Sequence, residues 1–205
     1  MNIEVWVAFF FASIALLAVP GPVVMLLLGY SISGGRSIAV AAIPGVVLGD
    51  MVAMTLSMLG AGTILQTSAS LFLVLKLAGA AYLVWLGVKI WTSEAVSDTG
   101  QRVIEMPSRA RVMRDAFFVT ALNPKDIMFF VAFLPQFIDL TAPTLAQIVV
   151  LELTFATLVL CSTTAWVMLA DRAARRLLNP GTKKLVSRLG ASWLVCAGGL
   201  TAAST

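Results

Sequence analysis

The chain has 205 residues, of which 60% are hydrophobic and only 12% are charged, and its formal net charge is +4. Soluble domains carry about 25% charged residues, so this composition excludes an ordinary soluble enzyme or binding domain and predicts a protein that crosses a membrane several times. The positive charge does not indicate a nucleic-acid-binding protein, because the basic residues lie in loops between apolar segments rather than along a groove with aromatic platforms.

Six apolar segments are long enough for transmembrane helices, each of which needs about 20 residues. In chain order they cover about residues 5–30, 38–65, 69–91, 115–138, 143–169 and 187–203. The predicted units are a first three-helix repeat at 1–91, a cytoplasmic linker at 92–114 and a second three-helix repeat at 115–205. Because three is an odd number, the second repeat must enter the membrane from the opposite side. We therefore predict an all-α integral membrane protein with six transmembrane helices in two inverted three-helix repeats.

The distribution of positive charge supports this topology. Of the 14 lysines and arginines, 12 lie in or beside the loops that follow the first, third and fifth segments. By the positive-inside rule these three loops are cytoplasmic, and both termini face outward. The two exceptions are Lys76, near the outer end of the third segment, and Lys125, near the middle of the fourth.

The same spacing between a proline and an acidic residue occurs once in each half of the chain. Pro22 is followed by Asp50 in the next segment, and Pro124 is followed at the same spacing by Glu152. The third and sixth segments also match in kind, at residues 77–87 and 189–198. Two halves that each contain a broken helix and a buried acid are typical of a transporter.

The prolines are expected to break helices inside the membrane. Each proline removes a backbone donor and displaces the carbonyl four residues earlier. The Pro20-Gly21-Pro22 run should therefore free the carbonyls of Leu16 and Ala18, and Pro124 should free that of Thr120. A single proline could be only a packing kink, but unpaired backbone at this depth is tolerated where it lines a cavity. We predict a binding site at the two breaks.

Four ionisable side chains are expected near the same depth in the membrane: Asp50, Lys125, Asp126 and Glu152. Placing each charge at mid-membrane costs roughly 2.5–3.5 kcal/mol on insertion scales. A polar cavity between the helices would explain them. Alternatively, Lys125 and Asp126 neutralise other buried charges and hold helices together, and both interpretations remain open. The candidate substrate-binding or proton-coupling residues are Pro20, Gly21, Pro22, Asp50, Asn123, Pro124, Lys125, Asp126 and Glu152.

Several motifs occur in the order and at the spacing of a known transporter family. They are Pro20-Gly21-Pro22, Gly35-Arg36, Gly49-Asp50, Gly79-Ala80-Ala81-Tyr82-Leu83, Asn123-Pro124-Lys125 and Phe133-Leu134-Pro135-Gln136-Phe137. On these motifs the chain resembles the LysE/RhtB family of amino-acid exporters, of the threonine, homoserine and lysine efflux type. The resemblance runs from about residue 14 to 138 and then more loosely to 200. Pro44 and Asp126 depart from the family pattern.

The resemblance implies a multi-pass carrier in the bacterial cytoplasmic (inner) membrane. It also implies export of amino acids or close derivatives, driven by the proton gradient. The motif roles of that family would fall on Pro20, Gly21, Pro22, Asp50, Asn123, Pro124 and Lys125. Its partners would be the amino-acid substrate, protons and the lipid bilayer, with no cofactor. A homo-oligomer is one alternative for the assembly.

The expected mechanism places a zwitterionic amino acid between the halves at mid-membrane. Its ammonium would bind the carbonyls freed at the first break and the carboxylate of Asp50, and its own carboxylate would bind Lys125. Because the sequence contains no histidine, Asp50 or Glu152 must carry the exchanged proton. Lys125 could instead form a closed pair with Asp126.

Other function classes fit the sequence less well. An intramembrane protease would need a histidine base or metal ligands, and a disulfide carrier would need closely spaced cysteines. A passive channel fits poorly with buried charges of both signs. An exporter of a hard metal cation, held by Asp50, Asp126 and Glu152, is the main transport alternative. A purely structural membrane subunit would leave the repeated acids unexplained.

Overall fold

The computed structural model describes residues 1–60, 107–139 and 141–176, together with isolated helical positions between 77 and 91 and between 188 and 199. Within these ranges all regular secondary structure is helical. The predicted third and sixth membrane segments fall almost wholly outside the described residues. The all-helical class is therefore observed, while the six-span count and the inverted relation of the repeats stay predictions.

The first membrane segment is a pair of helices with a sharp bend between them. Helix α1 covers Ile3–Ala18 and α2 covers Pro22–Ala39. The axis of α1 is bent by 50° from that of the first part of α2. The break falls at the Pro-Gly-Pro run, because a proline inside a helix removes a donor and displaces a carbonyl, whereas a proline at the first position of a new helix is accommodated.

The first and second segments are joined by a turn at Gly35, which lies inside the bounds of α2. Gly35 has φ 68° and ψ −175°, a conformation that glycine adopts readily because it has no Cβ. The chain then passes through a 3₁₀ turn at Val40–Ala42 into α3, Ile43–Gly60. This short reversal makes α2 and α3 neighbours.

The fourth segment is also broken. Helix α4 covers Arg109–Ala121, α5 covers Pro124–Ala132, and a 3₁₀ turn follows at Leu134–Phe137. The start of α4 lies within the range expected as linker, because arginines lower the hydropathy of its first turns without opposing helix formation. The Ser108 side chain accepts a hydrogen bond from the Arg111 N–H at 3.3 Å and caps this helix.

The connection between α5 and the last long helix is held by its own hydrogen bonds. The carboxylate of Asp139 accepts bonds from the hydroxyl of Thr141 at 2.6 Å and from its N–H at 2.9 Å. These bonds lower the pKa of Asp139 below its usual value. Helix α6 then covers Thr144–Arg176 and, at about 50 Å, is longer than the hydrocarbon core of a bilayer.

Among the described residues, two helical stretches are long and apolar enough to cross a membrane, at Gly34–Met58 and Thr144–Ala173. The bent α1–α2 pair would be a third such stretch if it counts as one span. Large apolar side chains on the outer face of α6, such as those of Leu145, Leu153 and Leu160, are exposed. Such outward faces are what a lipid environment would cover.

The packing of α3 against α4 fixes the position of the second segment. A Cβ atom at Gly45 would lie 2.1 Å from the carbonyl oxygen of Met113, and one at Gly49 would lie 2.7 Å from that of Phe117. The backbones of the two helices therefore touch along this line, as is typical where two glycines lie four positions apart in a membrane helix. Because α3 carries Asp50 and α4 leads into the second break, this contact joins the two halves of the candidate site.

Candidate functional site

The two helix breaks meet at one small buried cavity of about 40 Å³. Its walls come from the α1–α2 break, α3, the α4–α5 break and α6. Its polar lining consists of the side chains of Asp50, Asn123, Lys125, Asp126, Ser162 and Thr163. This volume holds about one water molecule, so the cavity has no room for an amino acid while its own side chains are in place.

Lys125 caps the broken end of α1. Its ammonium nitrogen donates to the carbonyl oxygens of Leu16 and Val19, each at 3.1 Å. The indole N–H of Trp166 on α6 donates to the carbonyl of Leu17 at 3.4 Å. The last carbonyls of α1 thus find partners from α5 and α6 in place of the helical donors that the prolines remove.

The freed carbonyls differ in part from those expected. The Leu16 carbonyl receives the ammonium, although it also accepts a hydrogen bond from the Val19 N–H at 3.3 Å. The second carbonyl that receives the ammonium is that of Val19 rather than Ala18. Val19 has φ −75° and ψ 116°, and this extended conformation takes its carbonyl out of the helix. Lys125 therefore occupies the position in which the sequence placed a substrate ammonium.

The carboxylates of Asp50 and Asp126 lie in the same cavity, 2% and 4% exposed. The Asn123 side-chain amide donates to Oδ2 of Asp126, and Oδ1 of Asp126 lies 3.8 Å from the Lys125 ammonium, an ion-pair distance rather than a hydrogen bond. Oδ1 of each aspartate has no hydrogen-bond donor among the described residues. The cavity thus holds two buried carboxylates and one lysine. One oxygen of each carboxylate can accept a further hydrogen bond that no described residue provides.

Two local features position these side chains. Asn123 caps α5, accepting from the Lys125 N–H at 3.2 Å, and this fixes the first turn that carries Lys125 and Asp126. Gly21 lies under the lysine stem, because a Cβ atom there would lie 3.6 Å from the Lys125 ammonium nitrogen and 3.7 Å from Cε. Pro22 and Pro124 each occupy the first position of a helix, and Pro20 lies between α1 and α2.

Glu152 is not brought to this cavity. Its carboxylate accepts a hydrogen bond from the Thr55 hydroxyl, which joins α3 to α6. Val159, which does line the cavity, lies two turns further along α6, about 10 Å away. The repeated spacing misleads because the stretches that follow the two prolines differ in conformation. The helix that begins at Pro22 continues to Ala39, whereas the helix that begins at Pro124 ends at Ala132.

Some cavity residues were absent from the sequence-based set. Ser162, Thr163 and Trp166 line the cavity from α6. They follow Glu152 on a helix where hydroxyls are frequent and often bond to their own backbone. The position of Trp166 could have indicated that it lines the site, because its indole lies well inside an apolar segment rather than at the edge of one.

Asp115 was also missed as a buried acid. It is 2% exposed and accepts a hydrogen bond from the Tyr30 hydroxyl at 2.9 Å, which joins α2 to α4. Oδ1 of Asp115 also lies 3.4 Å from Nη2 of Arg114. Hydropathy placed the start of the fourth segment at this residue, and Tyr30 lies at the end of the first segment, so the sequence did not indicate the pair.

We expect the Tyr30→Phe variant to be less stable by about 1 kcal/mol, because it removes one hydrogen bond to a buried carboxylate and leaves the ring in place. Thermal unfolding of the purified protein in detergent measures this. Arg111→Gln is the control: its side chain is 45% exposed and Nε lies 3.9 Å from Asp115, so its effect should be within about 0.5 kcal/mol. Equal losses in the two variants would contradict the assignment.

Comparisons with known proteins give a consistent result. The family model described as "LysE type translocator" matches residues 14–204. The "Homoserine/homoserine lactone efflux protein" of Salmonella typhimurium is 34% identical, covering 100% of this chain and 98% of the relative. The protein of the same name from Salmonella typhi is 33% identical with the same coverage.

A third relative carries no functional name. An "Uncharacterized membrane protein" of Vibrio cholerae is 31% identical, with 98% of each chain covered. No solved structure matches this chain significantly. The similarity to curated proteins therefore extends over essentially the whole length of the chain.

Proposed function

The chain belongs to the LysE type translocator family, which makes it a membrane transport protein rather than an enzyme, and from this premise we propose that it exports an amino acid or a close derivative by proton antiport. The observation that carries the proposal is the convergence of two broken helices on one buried cavity that contains Asp50, Lys125 and Asp126. Charged groups buried in a membrane protein are costly and usually serve a transported ion or solute.

Homoserine and homoserine lactone are the first substrates to consider, because they are the named cargo of two relatives that match over the full chain. Both molecules carry a primary amine. The cavity offers that group the carbonyls of Leu16 and Val19 and the carboxylate of Asp50. A substrate carboxylate, where there is one, would bind the Lys125 ammonium.

The proposed coupling to protons is supported by the two buried aspartates. A proton taken up by Asp50 or Asp126 cancels one negative charge in the cavity and weakens the hold on a substrate ammonium. Loss of that proton restores the charge and the affinity. Proton entry from outside would in this way be exchanged for substrate leaving the cytoplasm.

The membrane arrangement proposed with this function has six spans in two inverted repeats, with the cavity near mid-membrane and both termini outward in a bacterial inner membrane. The support comes from the positive charge of the predicted cytoplasmic loops and from the two broken helices that face each other. In this arrangement Glu152 and Thr55 lie on the outer side of the cavity, where an acid can serve proton entry.

Reconstitution tests the function. Proteoliposomes are loaded with labelled homoserine, homoserine lactone, threonine or lysine, and efflux is measured with and without an acid-outside pH gradient. At least one compound should leave faster than from protein-free liposomes, and the gradient should accelerate it until a protonophore is added. If no compound in the panel leaves above background, the proposed function is wrong.

The role of Glu152 can be tested separately. Glu152→Gln keeps an oxygen that accepts from Thr55 but cannot carry a proton. We expect gradient-driven efflux to fall several-fold, while exchange of labelled for unlabelled substrate, which moves no net proton, stays near the wild-type rate. Equal losses in both assays would instead assign Glu152 a structural role.

A further inference from the structure

The Lys125 side chain lies in the part of the cavity best suited to a ligand ammonium. A lysine ammonium has three N–H donors and no acceptor. Two donors meet backbone carbonyls at 3.1 Å, from Leu16 and Val19, and the Asp126 carboxylate lies 3.8 Å away. We call these three acceptors the ammonium cradle. Any primary ammonium of suitable size would satisfy the same acceptors.

The cradle cannot hold a substrate while the lysine is in it. The cavity has a volume of about 40 Å³, enough for about one water molecule. The lysine stem lies beside Gly21, where an added Cβ atom would be in ordinary van der Waals contact with it. Binding of an amino acid therefore requires Lys125 to leave the cradle.

Lys125 is able to leave. Its side chain is 30% exposed, so it has a route out of the cavity, and its four-carbon stem is flexible. Its backbone is fixed at the first turn of α5 by the Asn123 cap, so the displaced ammonium stays nearby. It can then contact Asp126 or a substrate carboxylate.

We propose that Lys125 is a tethered competitor for the ammonium cradle, which a substrate with a primary ammonium displaces. The proposal deepens the proposed function and rests on it for the identity of the substrate. In the empty carrier the lysine keeps the carbonyls of α1 and the nearby carboxylate paired. The site then selects for a primary ammonium, because an N-acylated amino acid has no cation to replace the one that leaves.

The first experiment uses methylammonium as the probe and needs no transport. Lys125→Ala and Lys125→Met leave the cradle without its ammonium, and both should be less stable to heat than the wild type. Millimolar methylammonium should raise their melting temperatures, and tetramethylammonium, which has no N–H donor, should not. The wild type should need about tenfold more methylammonium for the same shift and should not respond to tetramethylammonium.

A matched variant controls for general salt effects. Trp166→Phe removes the hydrogen bond to the carbonyl of Leu17 but leaves Lys125 in place, so its response to methylammonium should match that of the wild type. If folded Lys125→Ala or Lys125→Met gains nothing from methylammonium, or gains as much from tetramethylammonium, the proposal is wrong. The two lysine variants guard against a folding failure of one of them.

The second experiment measures competition directly. Homoserine lactone has a primary amine but no carboxylate, so it gains nothing from a lysine partner. If Lys125 fills the cradle about 90% of the time, its removal should tighten binding of the lactone to Lys125→Met about tenfold. Unchanged or weaker binding would overturn the proposal.

The outcomes separate this inference from the proposed function. If methylammonium stabilises the lysine variants but no compound in the panel is exported, the ammonium cradle is supported and the proposed amino-acid substrate is wrong. If a compound is exported but methylammonium does not stabilise the lysine variants, the proposed export function is supported and the competitor role of Lys125 is wrong.

Discussion

Replacing Asp50 by asparagine should reduce proton-coupled efflux by about two orders of magnitude. Truncating one partner of a buried charge pair typically costs about 2–5 kcal/mol, and asparagine keeps the size of the side chain but neither carries a proton nor pairs with an ammonium. Asp50 is 2% exposed at the cavity and one of its oxygens has no donor among the described residues. The initial rate of efflux under an acid-outside gradient is the measurement.

The matched control is Asp115→Asn, which makes the same chemical change at an equally buried aspartate outside the cavity. This variant should be less stable, because the hydrogen bond from Tyr30 is weakened. Its rate of gradient-driven efflux per folded molecule should stay near that of the wild type. An Asp50→Asn variant that exports near the wild-type rate would remove Asp50 from substrate binding and from proton coupling.

The largest loss of stability is expected from Gly45→Ala. The added Cβ would lie 2.1 Å from a backbone oxygen of α4 and 3.1 Å from the Cβ of Ala116. Backbone atoms cannot move aside as a flexible side chain can, so α3 must shift away from α4. We expect a cost of about 3 kcal/mol, at the upper end for overpacking, measured as a fall in melting temperature.

Gly29→Ala in α2 is the control, because a Cβ there would meet nothing within 4 Å. In a helix interior that change is expected to be neutral or slightly stabilising. If the two variants melt at the same temperature, α3 and α4 are not in backbone contact at Gly45.

Much of the architecture could be predicted because it depends on local chemistry. Proline fixes where α2 and α5 begin, and the spacing of Gly45 and Gly49 indicates the close helix contact. The composition predicted a helical membrane protein, and the motifs around Pro22 and Pro124 identified the family, which the family comparison confirms.

The arrangement within the site was harder to predict because it depends on contacts between distant segments. No local pattern shows that the Lys125 ammonium reaches the carbonyl of Leu16, more than a hundred positions away in the chain. The neighbouring ion pair with Asp126 was considered, and it is present only at 3.8 Å. The two partners expected for Lys125 were a substrate carboxylate and Asp126, and in the structure the carbonyls of Leu16 and Val19 are both closer than Asp126.

Glu152 shows where repeat reasoning fails. Equal spacing in sequence gives equal position in space only if the connecting segments have the same conformation. The helix that begins at Pro22 continues to Ala39 with a sharp turn at Gly35, whereas the helix that begins at Pro124 ends at Ala132 and is followed by a 3₁₀ turn. Side chains such as Ser162 and Thr163 reach the cavity from almost three turns beyond Glu152 on α6, and hydropathy does not show which turn of that helix faces the cavity.

Protection of a single thiol by substrate tests most directly whether the cavity between the broken helices is the transport site. The Ser162→Cys variant, with Cys161→Ala and Cys196→Ala, places that thiol at the cavity, and Thr141→Cys in the same background places one in the exposed connection between α5 and α6. Saturating homoserine should slow labelling of Ser162→Cys by a water-soluble thiol reagent several-fold and leave Thr141→Cys unaffected. Labelling of Ser162→Cys at the same rate with and without every exported compound would contradict a substrate site between the breaks.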